Sequence, residues 1–238
     1  MRVEGLKSMH IRPLSVAALA LIAFAAMPLH AQQTTPLSLA PPKAGAGTAA
    51  AASPAAPLST QEAVQRANGY FNASPTMVGD FVQMSGGRRL EGKVYISRPG
   101  RMRFEYAPPA TVEVIADGTS VAIRDRKLKT QDLYLIGQTP LKFLTKAQID
   151  IGRDTKVLDV HTDASAVNIL IEDKATLGGT SRIKLIFDPN SFALKQWVVN
   201  DPQGRETMVS LFNVDLNKKP DADLFKINTE RMLDTPRR

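Results

Sequence analysis

The sequence predicts a mainly β fold, a strongly curved antiparallel sheet of about eleven strands accompanied by helices. From residue 76 to residue 215, apolar and polar side chains alternate in short runs, which is the period of a strand. Turn-forming pairs such as Gly86-Gly87, Pro99-Gly100 and Asp117-Gly118 separate these runs. The connections are too short for crossover helices, so neighbouring strands should be antiparallel. So many strands do not make a flat open sheet, and the sheet should curl or close.

The first element in the chain is a predicted helix that begins at Ser59. Ser59-Thr-Gln-Glu62 matches a capping box, apolar residues follow at helical spacing, and Asn72-Ala-Ser-Pro75 ends the pattern. Strands are then predicted at residues 76–84, 91–98, 101–106, 111–116, 120–125, 129–136, 155–162, 166–172, 181–187, 192–199 and 206–215. A second helix is predicted over residues 139–148, between the two groups of strands, with Thr139 as N-cap and Pro140 at the first helical position. The two helices are expected to cover the concave face of the sheet.

The hairpin around Pro99-Gly100 carries the feature that most suggests a function. Its inward positions and those of the next strand are apolar: Val94, Ile96, Met102, Phe104, Tyr106, Val112 and Val114. Arg98 shares the parity of Val94 and Ile96, so a regular strand carries its guanidinium to the end of the apolar face. Either the side chain extends into water, or acceptors inside the protein bind it. The apolar positions likewise fit a packed core or a ligand cavity.

The ends of the chain are predicted to lie outside the folded domain. Residues 1–31 combine a basic start, an apolar run from Leu14 to Met27 and a small residue, Ala31, at the expected cleavage point, as in a secretory signal peptide. Residues 32–58 are rich in Ala and Pro and predict a flexible linker. The folded domain is then expected at residues 59–228, followed by a polar tail at residues 229–238.

Composition argues against several classes of function. The chain has no cysteine, which excludes disulfides, thiolate metal sites and cysteine nucleophiles. The net charge is +7, but basic and acidic residues are interleaved, which disfavours nucleic-acid binding. His161, between Asp159 and Asp163, makes at most a weak metal cluster, and no nucleophile motif accompanies it. We expect no enzymatic activity, no metal and no cofactor.

Several segments together resemble the LolA-type periplasmic carriers of outer-membrane lipoproteins. They are Met77-Val-Gly-Asp-Phe-Val-Gln83, Glu91-Gly-Lys-Val-Tyr-Ile-Ser-Arg-Pro-Gly-Arg-Met-Arg-Phe-Glu-Tyr106, Pro108-Pro109, Ile115-Ala-Asp-Gly118, Tyr134, Thr139-Pro-Leu141 and Asp223-Leu-Phe225. The resemblance covers most of residues 60–228. The polar end of the chain, from Lys226 onward, and the long linker depart from the family pattern.

The resemblance implies an unclosed β-barrel with a helical lid over a hydrophobic cavity for lipoprotein acyl chains. It implies that Arg98 latches the lid by binding backbone carbonyls and that Leu141, Phe143 and Leu144 belong to the lid helix. It also implies that the apolar positions of the hairpin and of the next strand, including Val112 and Val114, line the cavity. A soluble periplasmic monomer would then carry acylated lipoproteins from an inner-membrane ABC-type release complex to an outer-membrane acceptor lipoprotein. A carrier of another lipid, or a regulator that senses lipids or lipoproteins on the same fold, is the alternative.

Overall fold

The computed structural model describes residues 58–228 except Leu141 and Leu177. The predicted signal peptide, all of the predicted linker before residue 58 and the polar tail lie outside the described residues, as does Leu141 of the predicted lid helix. Those assignments stay predictions.

The described chain contains three α-helices, two 3-10 helices and eleven strands. The helices are α1 (Thr60–Asn72), α2 (Lys142–Thr145) and α3 (Ile151–Asp154), and the 3-10 helices are Ile136–Gln138 and Ala222–Phe225. The strands are β1 (Thr76–Ser85), β2 (Arg88–Ser97), β3 (Arg101–Tyr106), β4 (Val112–Asp117), β5 (Ser120–Asp125), β6 (Thr130–Leu135), β7 (Lys156–Thr162), β8 (Val167–Thr176), β9 (Gly179–Phe187), β10 (Leu194–Asn200) and β11 (Glu206–Asp215).

The strands form a single sheet in the order β6-β5-β4-β3-β2-β1-β11-β10-β9-β8-β7. All paired neighbours are antiparallel, and the first and last strands pair in the middle of the sheet. Strands β6 and β7 are the two edges and do not pair with each other, so the barrel is unclosed. The predicted fold class is confirmed.

Alternation along the strands places one apolar face toward the interior. In β9, every second residue from Ser181 to Phe187 is buried, and β3 alternates in the same way. The backbones of β2 and β3 approach each other closely at Gly92, where a Cβ atom would lie 2.0 Å from the Glu105 carbonyl oxygen. Only glycine permits so close a backbone approach.

Residues 136–154, which we call the lid segment, connect the two edge strands β6 and β7. The lid segment and α1 pack on the concave face of the sheet. Phe71 of α1 makes edge-to-face ring contacts with Phe143 of the lid segment and Phe187 of β9, at centroid distances of 6.5 and 5.9 Å. Aromatic rings in this arrangement form the centre of the core.

The predicted start of α1 is confirmed, whereas the predicted helix over residues 139–148 is wrong in extent. The Ser59 hydroxyl accepts a hydrogen bond from the Glu62 N–H (3.2 Å), as an N-cap does. Thr139 instead donates its hydroxyl hydrogen to the Ile136 carbonyl, and the helix is only the single turn α2. The separate turn α3 was not predicted.

The C-terminal segment, residues 216–228, crosses the convex face of the sheet. Its 3-10 helix contacts β3 and β4 and buries Phe225. Beneath it, the Arg103 guanidinium donates a hydrogen bond to the Leu224 carbonyl (3.2 Å) and pairs with Glu113 (2.8 Å). Glu113 also pairs with Arg124 at 3.3 Å and is almost completely buried. The Asp223-Leu-Phe225 motif therefore holds this segment on the outside of the sheet.

Candidate functional site

Arg98 lies at the end of β2 and points inward, as its parity predicts. Its side chain is only 8% exposed. The guanidinium Nε donates a hydrogen bond to the Leu144 carbonyl of α2 (3.0 Å). The Nη1 atom donates to the carbonyls of Ser74 (3.0 Å) and Phe71. One side chain thus connects the β2–β3 hairpin, the end of α1 and the lid segment.

The acceptors around Arg98 suit a buried cation. Phe71 lies in the last turn of α1 and Ser74 just beyond its end, where the helix dipole presents its negative pole. Burial lowers the pKa of the Arg98 guanidinium from its ordinary value, because the charged form is desolvated. An arginine nevertheless stays protonated in a protein, so the bonds to these carbonyls are charge-assisted.

The backbone of the same hairpin makes a second contact with the lid segment. The Gly100 N–H donates a hydrogen bond to the Thr145 carbonyl (2.7 Å). Gly100 has φ +75°, and a Cβ atom there would lie 2.5 Å from the Gly118 Cα. Glycine is therefore required at this position, because a side chain would displace the turn that reaches the lid segment.

Helix α1 also holds the lid segment, through two asparagines that the sequence analysis did not assign to the site. Asn72 accepts a hydrogen bond from the Ile149 N–H (2.9 Å) and donates one to the Ile149 carbonyl (2.8 Å). Asn68, one helical turn earlier, accepts from the Ile151 N–H (2.9 Å). Their spacing of four residues places both amides on one side of α1, a signal visible in the sequence.

A buried ion pair joins the lid segment to β8, which lies on the other side of the sheet from the Arg98 hairpin. The Lys142 ammonium lies 2.9 Å from an Asp173 carboxylate oxygen, and these side chains are 18% and 5% exposed. Asp173 sits on β8 with the inward parity of Ile169 and Ile171. This inward parity of a charged side chain is the same kind of misfit as that of Arg98, and it is a signal visible in the sequence.

A cavity of about 130 Å³ remains on the inner side of the sheet, with β1 and β3–β6 lining one side of it and β8–β11 the other. It is lined mainly by apolar and aromatic side chains, with polar groups from the lid segment and two hairpins: Gln83, Phe104, Tyr106, Val114, Val121, Ile123, Tyr134, Gln138, Thr139, Pro140, Thr176, Ser181, Trp197, Val199, Asp201, Pro202, Gln203, Arg205, Thr207 and Val209. The interior is thus partly filled and partly hollow.

The predicted cavity residues divide into two groups. Three of them line the cavity: Phe104, Tyr106 and Val114. The other four do not, since Val94, Ile96 and Met102 are fully buried in the packed core and Val112 is half-buried. Ile96 and Met102 lie at the Arg98 end of the hairpin, which α1 and the lid segment fill. Phe143 and Leu144 lie in α2 as predicted, and both are buried.

The weak metal cluster proposed around His161 is a surface feature. Its Nε2 lies 3.6 Å from an Asp163 oxygen, and both side chains are largely exposed. Among the residues that the structure describes, no group of three His, Cys, Asp or Glu side chains is arranged to hold a metal ion. In the same part of the chain, no helix has the length and apolar character needed to cross a membrane.

Comparisons with known proteins identify the family. A family model described as "Outer membrane lipoprotein carrier protein LolA" matches residues 72–228. The outer-membrane lipoprotein carrier protein of Legionella pneumophila (strain Lens) is 29% identical over 174 residues, which cover 69% of this chain and 84% of that protein. The corresponding protein of Methylococcus capsulatus is 28% identical over 127 residues, covering 51% of this chain and 56% of that protein.

Among solved structures, LolA superfamily protein NE2245 from Nitrosomonas europaea aligns with a TM-score of 0.41 and 9% identity, covering 71% of this chain and 98% of that chain. MucB aligns with a TM-score of 0.40 and 14% identity, covering 71% and 63%. The family model spans well over half of the sequence, so this chain belongs to the LolA family of outer-membrane lipoprotein carrier proteins.

Proposed function

We propose that the protein is a periplasmic carrier that binds the acyl chains of lipoproteins and shuttles them from the inner to the outer membrane. The observation that carries the proposal is the buried Arg98 guanidinium, which is bonded to the lid segment, whose first residues line an apolar cavity. Membership of a family of lipoprotein carriers supports the same role. Residues 1–31 would direct export, and residues 32–58 would act as a tether.

The mechanism follows from the cost of exposing an acyl chain. Each methylene group in water costs about 0.8 kcal/mol, so an unprotected chain cannot cross an aqueous compartment quickly. Pockets that enclose small-molecule ligands typically measure about 300–1,000 Å³. The cavity is about 130 Å³. We therefore infer that the lid segment moves away from the sheet before a whole chain enters.

Arg98 then sets the affinity of the carrier. Opening breaks its bond to the Leu144 carbonyl, and the free energy of opening is subtracted from the free energy of ligand binding. A carrier whose ligand affinity is lowered in this way needs an energised donor to load it, for which we propose an inner-membrane ABC-type complex. It delivers its cargo downhill to an outer-membrane acceptor lipoprotein.

Mass spectrometry of ligands that copurify with the natively purified periplasmic protein tests the proposal. Acylated lipoproteins should be recovered, and the loaded protein should transfer them to acceptor vesicles. Recovery of other lipids alone would support a different cargo. Recovery of a membrane-anchored signalling protein without transfer would contradict a shuttle and support the regulator.

A further inference from the structure

Gln83 is a polar side chain in the apolar wall of the cavity. It lies on β1 with the inward parity of Phe81, is 8% exposed and lines the cavity. Its cross-strand partners on the two sides are Leu90 and Val209. A buried amide surrounded by apolar groups destabilises the protein unless its donors and acceptor are hydrogen-bonded.

Only one end of this amide is engaged by the protein. The Tyr106 hydroxyl donates a hydrogen bond to Gln83 Oε1 at 2.8 Å. Burial raises the pKa of Tyr106, so the phenol stays protonated and keeps the amide oxygen occupied. The amide nitrogen Nε2 carries two donor hydrogens, and no residue that the structure describes offers them an acceptor.

Other polar groups of the wall bind one another instead. Thr176 donates its hydroxyl hydrogen to the Gly179 carbonyl (2.6 Å), and the Ser181 hydroxyl lies 2.9 Å from that of Thr176. Arg205 is paired with Asp201 at 2.7 Å. Gln83 therefore differs from these groups, because Tyr106 fixes it with its donors available to the cavity.

We propose that Gln83 Nε2 donates a hydrogen bond to the carbonyl oxygen that joins an acyl chain to its parent molecule, as an ester or an amide. The inference rests on the proposed carrier function and adds a determinant of specificity to it. The methylene groups beside the carbonyl would contact the rings of Phe104 and Tyr106, which line the cavity and pack edge to face on Phe81 at 5.0 and 5.1 Å. A site built to bind a polar group discriminates against an analogue that lacks it.

The test compares two ligands of equal chain length, a monoacylglycerol ester and the matching alkyl-glycerol ether, on the full chain. The ether lacks the carbonyl oxygen and is otherwise almost identical. The wild-type protein should bind the ester about tenfold more tightly, as one hydrogen bond allows. An N-acyl ethanolamine of the same length shows whether an amide carbonyl serves equally well.

In Gln83→Leu the ester and the ether should bind equally, with the affinity for the ether unchanged or higher. Gln83→Met, also apolar and of similar length, is the second variant if the first does not fold. Gln196→Leu is the matched control, because Gln196 accepts a hydrogen bond from Ser210 (3.0 Å) in the same way but faces away from the cavity. It should keep the tenfold preference.

The outcomes separate this inference from the function on which it rests. Equal binding of ester and ether to the wild-type protein, or a preference that survives in the folded Gln83→Leu protein, overturns the role of Gln83 and leaves the carrier function intact. Failure of the wild-type protein to bind either ligand overturns both.

Discussion

Replacing Arg98 with leucine should make the carrier retain its ligand. The substitution removes the bond between Nε and the Leu144 carbonyl, which is the link from this side chain to the lid segment. A hydrogen bond from a charged group contributes about 1.5–3 kcal/mol. The closed, empty state loses this stabilisation, whereas the loaded state with its lid displaced does not. We therefore expect ligand affinity to rise by about 10- to 150-fold, mostly through slower release.

Stopped-flow transfer of a fluorescent acyl lipid from the loaded protein to vesicles measures that release. Arg101→Leu is the matched control, because Arg101 lies in the same hairpin on the outward parity of β3 and should transfer at the wild-type rate. Arg98→Lys keeps the charge but lacks the planar group that reaches several carbonyls, so its release rate should fall in between.

The reasoning fails if a folded Arg98→Leu protein releases lipid as fast as the wild-type protein. Circular dichroism before the transfer experiment confirms folding, because the carbonyls of Phe71 and Ser74 also lose their donor. Faster release than wild type would show that Arg98 contacts the ligand instead of restraining the lid segment.

Three further predictions concern the rest of the fold. Lys142→Met leaves Asp173 buried without its cation, so hydrogen exchange in the lid segment should accelerate; unchanged exchange would mean that this ion pair does not restrain the lid. Gly92→Ala places a methyl group against a backbone carbonyl and should cost about 1–3 kcal/mol in chemical denaturation, and a wild-type midpoint would contradict the close approach. Glu113→Leu leaves two part-buried arginines without their carboxylate and should cost about 3–5 kcal/mol, measured in the same way.

Most of the sheet could be predicted from the sequence because its strands bury one face. Predicted and observed bounds coincide for β3, β5 and β11, and in β3 burial alternates along the whole run. The start of β2 was placed three residues late, since Arg88 and Arg89 are exposed and give no apolar signal. The end of β8 was placed early because Asp173 and Thr176 point inward and find partners there that the local sequence does not reveal.

The lid segment could not be predicted for a related reason. The pattern of residues 139–148 favours a helix, in which the carbonyls of residues 144 and 145 would accept hydrogen bonds from residues 148 and 149. In the structure those carbonyls accept bonds from Arg98 and Gly100, and the Ile149 N–H donates to Asn72. Tertiary partners have replaced the bonds that would continue the helix. The same contacts that hold the lid segment against α1 and the hairpin therefore shorten its helix.

These contacts also predict how long an acyl chain must be to bind. Opening the lid segment breaks the charged contacts of Arg98 and Lys142, about 3–6 kcal/mol at 1.5–3 kcal/mol each. Burial of one methylene offsets about 0.8 kcal/mol, so roughly four to eight methylenes are needed before binding becomes favourable.

Calorimetry over a series of monoacyl ligands should show no binding by the shortest chains. Beyond that threshold, affinity should rise about fourfold per methylene. In Arg98→Leu the threshold should shift by about two to four methylenes toward shorter chains, because one contact of about 1.5–3 kcal/mol is lost. An identical threshold in both proteins would show that Arg98 does not contribute to the free energy of opening. The dependence on chain length would then arise from the cavity alone.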